Sequence, residues 1–303
     1  MSTHVDGRDI GHAWLNAFAQ LLAGPAEGMV NLTVTIEQPT LEDRGIRHEL
    51  ERAIAQLRDS GAPGFQRPQS VHTVANTLFP ISLYRRGRTD AFFRNAIAGQ
   101  LGRGGKSTSW QPSGTYIGRL IRYPIADGKS TINQLEILLD RLRSASRKDY
   151  YELGLGGSAT DDQAPGGNAC EITGLDGGMP IYLPGFDNQI RGGQCLSHIS
   201  LTLIGNRLSL TALYRHQVYV TRAYGNYLGL ARLLAFLAHE SGRDIGEIMV
   251  VASHADIDAT RTAAQSLLSS AVDASGTGIA QIEVESRPLG STWRDLDLPV
   301  GVA

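Results

Sequence analysis

Apolar residues recur at helical spacing over Asp9 to Ala23 (DIGHAWLNAFAQLLA), with Asp9 placed to cap, so the pattern predicts a helix there. Met29 to Ile36 (MVNLTVTI) alternates and is β-branched, which predicts a strand. Leu41 to Leu57 returns to helical spacing with its charges on the other face. Val71 to Leu83 and Thr89 to Leu101 give two more helices, with loops at Gly61 to Pro68 and Gly102 to Gly114. Ser130 to Leu142 predicts a helix capped by Ser130, with one stripe of Ile132, Leu135, Leu138, Leu139 and Leu142. From Gly154 to Gly193 the chain is dense in Gly, Pro, Asn and Asp, an irregular stretch of the kind that often carries function.

The order then changes. His198 to Ile204 and Arg207 to Tyr214 read as two strands of a hairpin around Gly205-Asn206. Tyr227 to His239 is an apolar helix ending near Gly242, Ile245 to Ala252 a buried strand, and Ile279 to Val284 a last short strand. No repeat, linker or composition break divides the chain. The expectation is one α+β domain over residues 1–303, its sheet carried mostly by the C-terminal half.

Composition narrows the function classes. The 28 Lys+Arg against 30 Asp+Glu leave a net charge of -2, which gives no basic field for nucleic acid. The apolar fraction of 42% is enough for a sizeable core, yet no apolar run reaches the ~18 residues of a membrane span. Met1 to Asp9 is polar, without a signal-peptide core. Two cysteines argue against a disulfide scaffold and for a reducing, cytoplasmic setting.

Cys195 is the first candidate for chemistry. It follows Arg191-Gly192-Gly193-Gln194 and opens a strand, and a nearby cation would favour its thiolate; the alternative is a small buried hydrophobe. Cys170, in a Gly-rich loop, reads as structural. The eight histidines form no zinc motif of the H-E-x-x-H kind. Gly102 to Ser107 lacks phosphate-loop spacing, and Gly154 to Gly157 reads as a turn. Arg215, at the end of a strand, suits a bidentate phosphate contact or a solvated strand end. Arg147-Lys148 is a second phosphate candidate or a polar helix end.

The order of these pieces carries more information than any one of them. Cys195 opens a strand, Tyr214-Arg215 ends a hairpin, Gly225-Asn226 precedes a helix, Gly246-Glu247 precedes a strand, and Asp256-Ile257-Asp258 follows it. Upstream stand Tyr116-Ile117-Gly118-Arg119-Leu120-Ile121-Arg122-Tyr123-Pro124, Ile132-Asn133-Gln134-Leu135 and Ser146-Arg147-Lys148. From about Tyr116 to Asp258 this run resembles the thymidylate synthase family, which includes the pyrimidine-nucleotide hydroxymethylases. The resemblance implies a mixed β-sheet flanked by helices, a sheet-mediated homodimer with shared active sites, and 5,10-methylenetetrahydrofolate as one-carbon donor.

It also implies roles. Cys195 would attack C6 of a pyrimidine nucleotide monophosphate, and Tyr116 would sit near the reacting C5. Arg215, followed by His216, would hold the 5′-phosphate, with Arg147 and Lys148 reaching it from the neighbouring subunit. Asn226 would bond the base edge. The departures from the family are specific. Leu196 stands where the family has His, His216 where it has Ser, and Val218 where it has Asp. Val71 to Pro80 (VHTVANTLFP) matches the region of the family's catalytic Glu, with no clear equivalent of that Glu and Asn76 as the polar candidate singled out, and Asp256 and Asp258 replace the sugar-binding His and Tyr. Trp110 lies near the place of a folate-stacking Trp. These departures point to a divergent C5 hydroxymethylase acting on a ribonucleotide such as CMP or UMP; a reductive methyltransferase and a non-catalytic nucleotide-binding relative are the alternatives.

Overall fold

The computed structural model describes residues 3–60, 68–101, 115–124, 131–144, 148–151, 179–180 and 195–285. In chain order these form β1 (Thr3–Gly7), α1 (Ile10–Ala23), β2 (Met29–Ile36), β3 (Leu41–Asp43), α2 (Arg44–Asp59), α3 (Val71–Leu78), a 3₁₀ turn at Ile81–Leu83, α4 (Thr89–Leu101) and α5 (Tyr116–Ile121). There follow β4 (Tyr123–Pro124), β5 (Thr131–Ile132), α6 (Gln134–Ser144), β6 (Lys148–Tyr151), β7 (Met179–Pro180), β8 (Leu196–Ile204), β9 (Arg207–Tyr214) and β10 (Gln217–Val218). A π-helical turn at Tyr219–Ala223 leads into α7 (Tyr224–Ser241), β11 (Asp244–Asp256), α8 (Arg261–Asp273) and β12 (Ile279–Gln281).

The main sheet runs β1-β2-β11-β9-β8-β6 and is mixed. β9 and β11 are parallel, joined by α7 as the crossover, whereas β8 and β9 form an antiparallel hairpin turned by Gly205 at φ 65. Leu201, Leu210, Val250 and Val34 point to one face, which α1 and α7 cover while touching each other. The molecule is thus α+β with a mixed sheet flanked by helices. Among the described residues, no helix is long and apolar enough to cross a membrane.

Several expected boundaries move, each for a local reason. The sheet draws on the N-terminal part more than expected: β2 pairs with the central β11, and the polar tail contributes β1, whose Val5 faces in while His4 and Asp6 face out. Leu41–Asp43 is a strand paired with β12, because Asp43 caps α2 by accepting from the Gly45 N–H at 2.9 Å. The helix expected over Val71 to Leu83 stops at Leu78, since Phe79 precedes Pro80 and takes an extended backbone. The helix expected from Ser130 starts at Gln134. Asn133 Oδ1 accepts from the Glu136 N–H at 3.3 Å, and Ser130 lies outside the described residues. The last strand ends at Gln281, short of Val284, while β11 runs on to Asp256 and α8 had no expectation at all.

Two glycines set how α3 meets α7. A Cβ on Gly225 would stand 2.5 Å from Val74 Cβ, and one on Gly229 would stand 2.8 Å from Leu78 Cβ. Spaced one turn apart, they form a groove that lets the helix backbones approach closely beside Asn226.

Candidate functional site

Cys195 immediately precedes β8, where the ladder is irregular: Leu196 pairs with Tyr214 but His198 pairs with Leu213. The extra residue, Ser197, is a bulge, a device that re-aims side chains at sheet ends. Beyond it the Arg215 N–H donates to the Cys195 carbonyl at 2.8 Å, so the thiol-bearing residue and the arginine are tied by backbone. α5, capped by Thr115, delivers Tyr116 to the same spot, and the Leu196 N–H donates to the Tyr116 hydroxyl at 3.4 Å. Burial, followed by the neighbouring Cys195, pushes the Tyr116 phenol up to about 12.

Cys195 is a partly buried free thiol. Burial pushes its pKa up, while the charges of Arg215 and Arg222 pull it down; burial is the stronger influence. The cations near the thiol are thus Arg215 and Arg222, Arg191 lying outside the described residues, and the thiol is held protonated at neutral pH.

Arg222 was not legible in the sequence. It sits in the π-helical turn, and that turn is fastened by Asp258. Asp258 Oδ1 accepts from the Val220 N–H at 2.8 Å, and its carboxylate also takes the backbone N–H and the hydroxyl of Thr221. Asp258 therefore caps the turn that presents Arg222 to the thiol, a different task from the sugar contact that the resemblance implies. π-turns cluster at functional positions, but their five-residue period leaves no apolar signature in so short a stretch.

The structure thus brings Tyr116, Cys195, Arg215 and Arg222 together. Asn226 lies one turn beyond Arg222, only 5% exposed, with no hydrogen bond from its side chain to a described residue. Asn76 belongs to another cluster: its Oδ1 accepts from Arg232 Nη1 at 3.4 Å, beside His72 at 3.4 Å and Glu283 at 3.7 Å. Arg232 is 1% exposed, and burial pushes its guanidinium down to about 10. Lys148 opens β6 opposite Ile204, the end of β8 remote from Cys195. Arg147, Cys170, Arg191, Trp110, Gly102 to Ser107 and Gly154 to Gly157 lie outside the described residues.

His216 and Asp256 meet at the carboxyl ends of β9 and β11, with Nε2 and Oδ1 3.1 Å apart. His254 was also missed. Its ring stacks on His216 with centroids 5.1 Å apart. The signal for it was in the sequence, because His254 and Asp256 are alternate residues of one strand and so share a face.

No family model matches the chain, and no curated protein matches it.

Proposed function

We propose that the chain is a pyrimidine-nucleotide C5 hydroxymethylase using Cys195 as nucleophile. The observation that carries this reading is the thiol within reach of the charges of both Arg215 and Arg222, with the Tyr116 hydroxyl on the adjoining backbone amide. An anionic ligand suits the two guanidiniums. Sulfur adds to C6, the C5=C6 electron pair moves onto the base carbonyl, and C5 becomes nucleophilic. The folate, when bound, supplies the one-carbon unit that C5 takes up. Loss of the C5 proton releases the carbon from the folate, which would leave as tetrahydrofolate; water adds to the methylene left on C5 to give the hydroxymethyl group, and departure of sulfur restores the C5=C6 bond and the thiol. Asn226, buried and without a described partner, supports recognition of the base edge.

A homodimer with shared sites forms part of the proposal. The sheet face bearing Thr211, Leu213, Met249 and Val251 lies opposite the one that α1 and α7 cover, and Thr211 and Leu213 on it are exposed. Lys148 stands eight positions along β8 from Leu196, roughly 26 Å at about 3.3 Å per residue, so it is too far along the sheet to serve the site of its own chain. With Asp258 engaged by backbone, Asp256 is the carboxylate left to meet a ribose diol.

The raised thiol pKa favours one competing reading, a nucleotide-binding relative without catalysis. Incubation with CMP, UMP and their deoxy counterparts plus methylenetetrahydrofolate separates the two. The proposal expects the ribonucleotide to gain CH₂O and to be preferred about 5- to 150-fold over its deoxy form, from one unpaired acceptor at ~1–3 kcal/mol. Gain of CH₂ alone would assign reductive methylation. No product from any nucleotide, with binding intact, would leave the non-catalytic reading.

A further inference from the structure

We infer that His216, His254 and Asp256 form a binding site for a first-row divalent transition metal, zinc above all. One donor atom from each residue lies within 4.8 Å of the others. The arrangement follows from strand geometry. β10 continues β9 alongside β11, with Gln217 opposite Ala255, so the preceding residues, His216 and His254, are also neighbours across the two strands. Asp256, the next alternate position after His254, falls on the same face. Two imidazoles and one carboxylate converge from backbone that the sheet already holds rigid.

Two further observations point to a cation. His216 Nε2 and Asp256 Oδ1 are buried atoms 3.1 Å apart, yet neither has a hydrogen bond of acceptable geometry. Two lone pairs at that distance repel unless a proton or a cation lies between them. His254 Nε2 lies 2.8 Å from the Glu27 carbonyl, which can only accept, so Nε2 carries the proton and Nδ1 the lone pair. A backbone carbonyl that fixes one ring nitrogen is the usual outer support of a metal-ligating histidine. Gly28, at φ 93, brings this carbonyl's chain against the cluster: a Cβ there would meet Ala255 O at 2.3 Å and His254 Nε2 at 3.0 Å.

The donor set selects the metal class. Imidazole with a single carboxylate suits zinc and its first-row neighbours, whereas magnesium and calcium call for more oxygens. Bonds of about 2.0–2.1 Å require donors about 3.3–3.5 Å apart, a spacing that the His216–Asp256 pair at 3.1 Å is already close to, so any adjustment on binding falls mainly to His254. Three protein ligands leave at least one position open to an oxygen of a small ligand. The inference rests on this geometry and not on the nucleotide reading, although His216 and Asp256 enter both.

Zinc titration of the nucleotide-free protein, read by calorimetry with cobalt absorbance as a second probe, tests it. One cation should bind per chain at micromolar or lower concentration, with about 100-fold excess magnesium failing to compete. His216→Ala and His254→Ala should each weaken binding by at least about tenfold, and Cys195→Ser should leave it unchanged. The melting curve of each variant confirms folding; if His254→Ala does not fold, His216→Ala, between β9 and β10, decides. Absence of binding, equal affinity in the wild type and the histidine variants, competition by magnesium, or loss of binding in Cys195→Ser would each overturn the site. Because no nucleotide is present, failure here leaves the hydroxymethylase reading standing, and the reverse holds too.

Discussion

The Arg215 amide donates to the Cys195 carbonyl at 2.8 Å, closing the β8–β9 hairpin just past the Ser197 bulge. Through that bond the nucleophile candidate and the phosphate candidate share one rigid frame. A shift in the hairpin register would separate them.

The thiol should be sluggish at neutral pH. Its pKa is raised by burial, so the thiolate fraction, and with it the iodoacetamide alkylation rate, should climb only as pH passes the ordinary thiol range of about 8.5. Arg222→Ala removes a cation that favours the thiolate, so the rate at pH 8 should fall by about threefold to tenfold, while Arg222→Lys should retain most of it. Stopped alkylation followed by mass spectrometry reads both; a rate indifferent to Arg222 would disconnect it from the thiol.

Asp258→Ala should act twice. It removes the acceptor for the Val220 and Thr221 N–H groups, at a cost of about 1–2 kcal/mol in urea unfolding, similar to the loss of a helix cap. It should also slow Cys195 alkylation as Arg222→Ala does, because the turn that presents Arg222 loses its fastening. A fall in stability with an unchanged alkylation rate would make Asp258 a cap and nothing more.

Gly225→Ala tests the α3–α7 contact. Helix propensity alone favours Ala by about 1 kcal/mol. The new methyl, however, meets Val74 Cβ at 2.5 Å, and overpacking of this kind costs about 1–3 kcal/mol. Net destabilisation in urea is expected; a stabilised variant would show that the two helices part without penalty.

Much of this frame was legible in the sequence. Asp9 caps α1 as expected, accepting from the His12 N–H at 3.1 Å, and the Gly205-Asn206 turn joins β8 and β9. The apolar run of α7 has no polar face to set a period, but its length exceeds that of a buried strand, which marks it as a helix. β1 and β3 were missed because both are short, and partners distant in the chain, β2 and β12, hold them in place. In the candidate site, Tyr116, Cys195 and Arg215 were singled out because their order along the chain resembles a known arrangement, and the fold brings the three together. Arg222 and His254 were not, since only the folded backbone carries one to the thiol and the other to His216.

Shared sites predict complementation between two inactive variants. Arg147→Ala and Cys195→Ser subunits, mixed and allowed to exchange, should recover activity, because one composite site in the hybrid keeps both groups. Demonstrated heterodimers without any recovery would place each site within a single subunit.

The most direct measurement is tritium release from C5-labelled CMP and UMP. Addition of sulfur to C6 makes C5 exchangeable, so the wild type should release tritium to solvent in the presence of the folate donor. Cys195→Ser should release none while still binding the nucleotide. Release by Cys195→Ser at the wild-type rate, or none by the wild type with nucleotide and folate both bound, would contradict the assignment of Cys195 as the nucleophile.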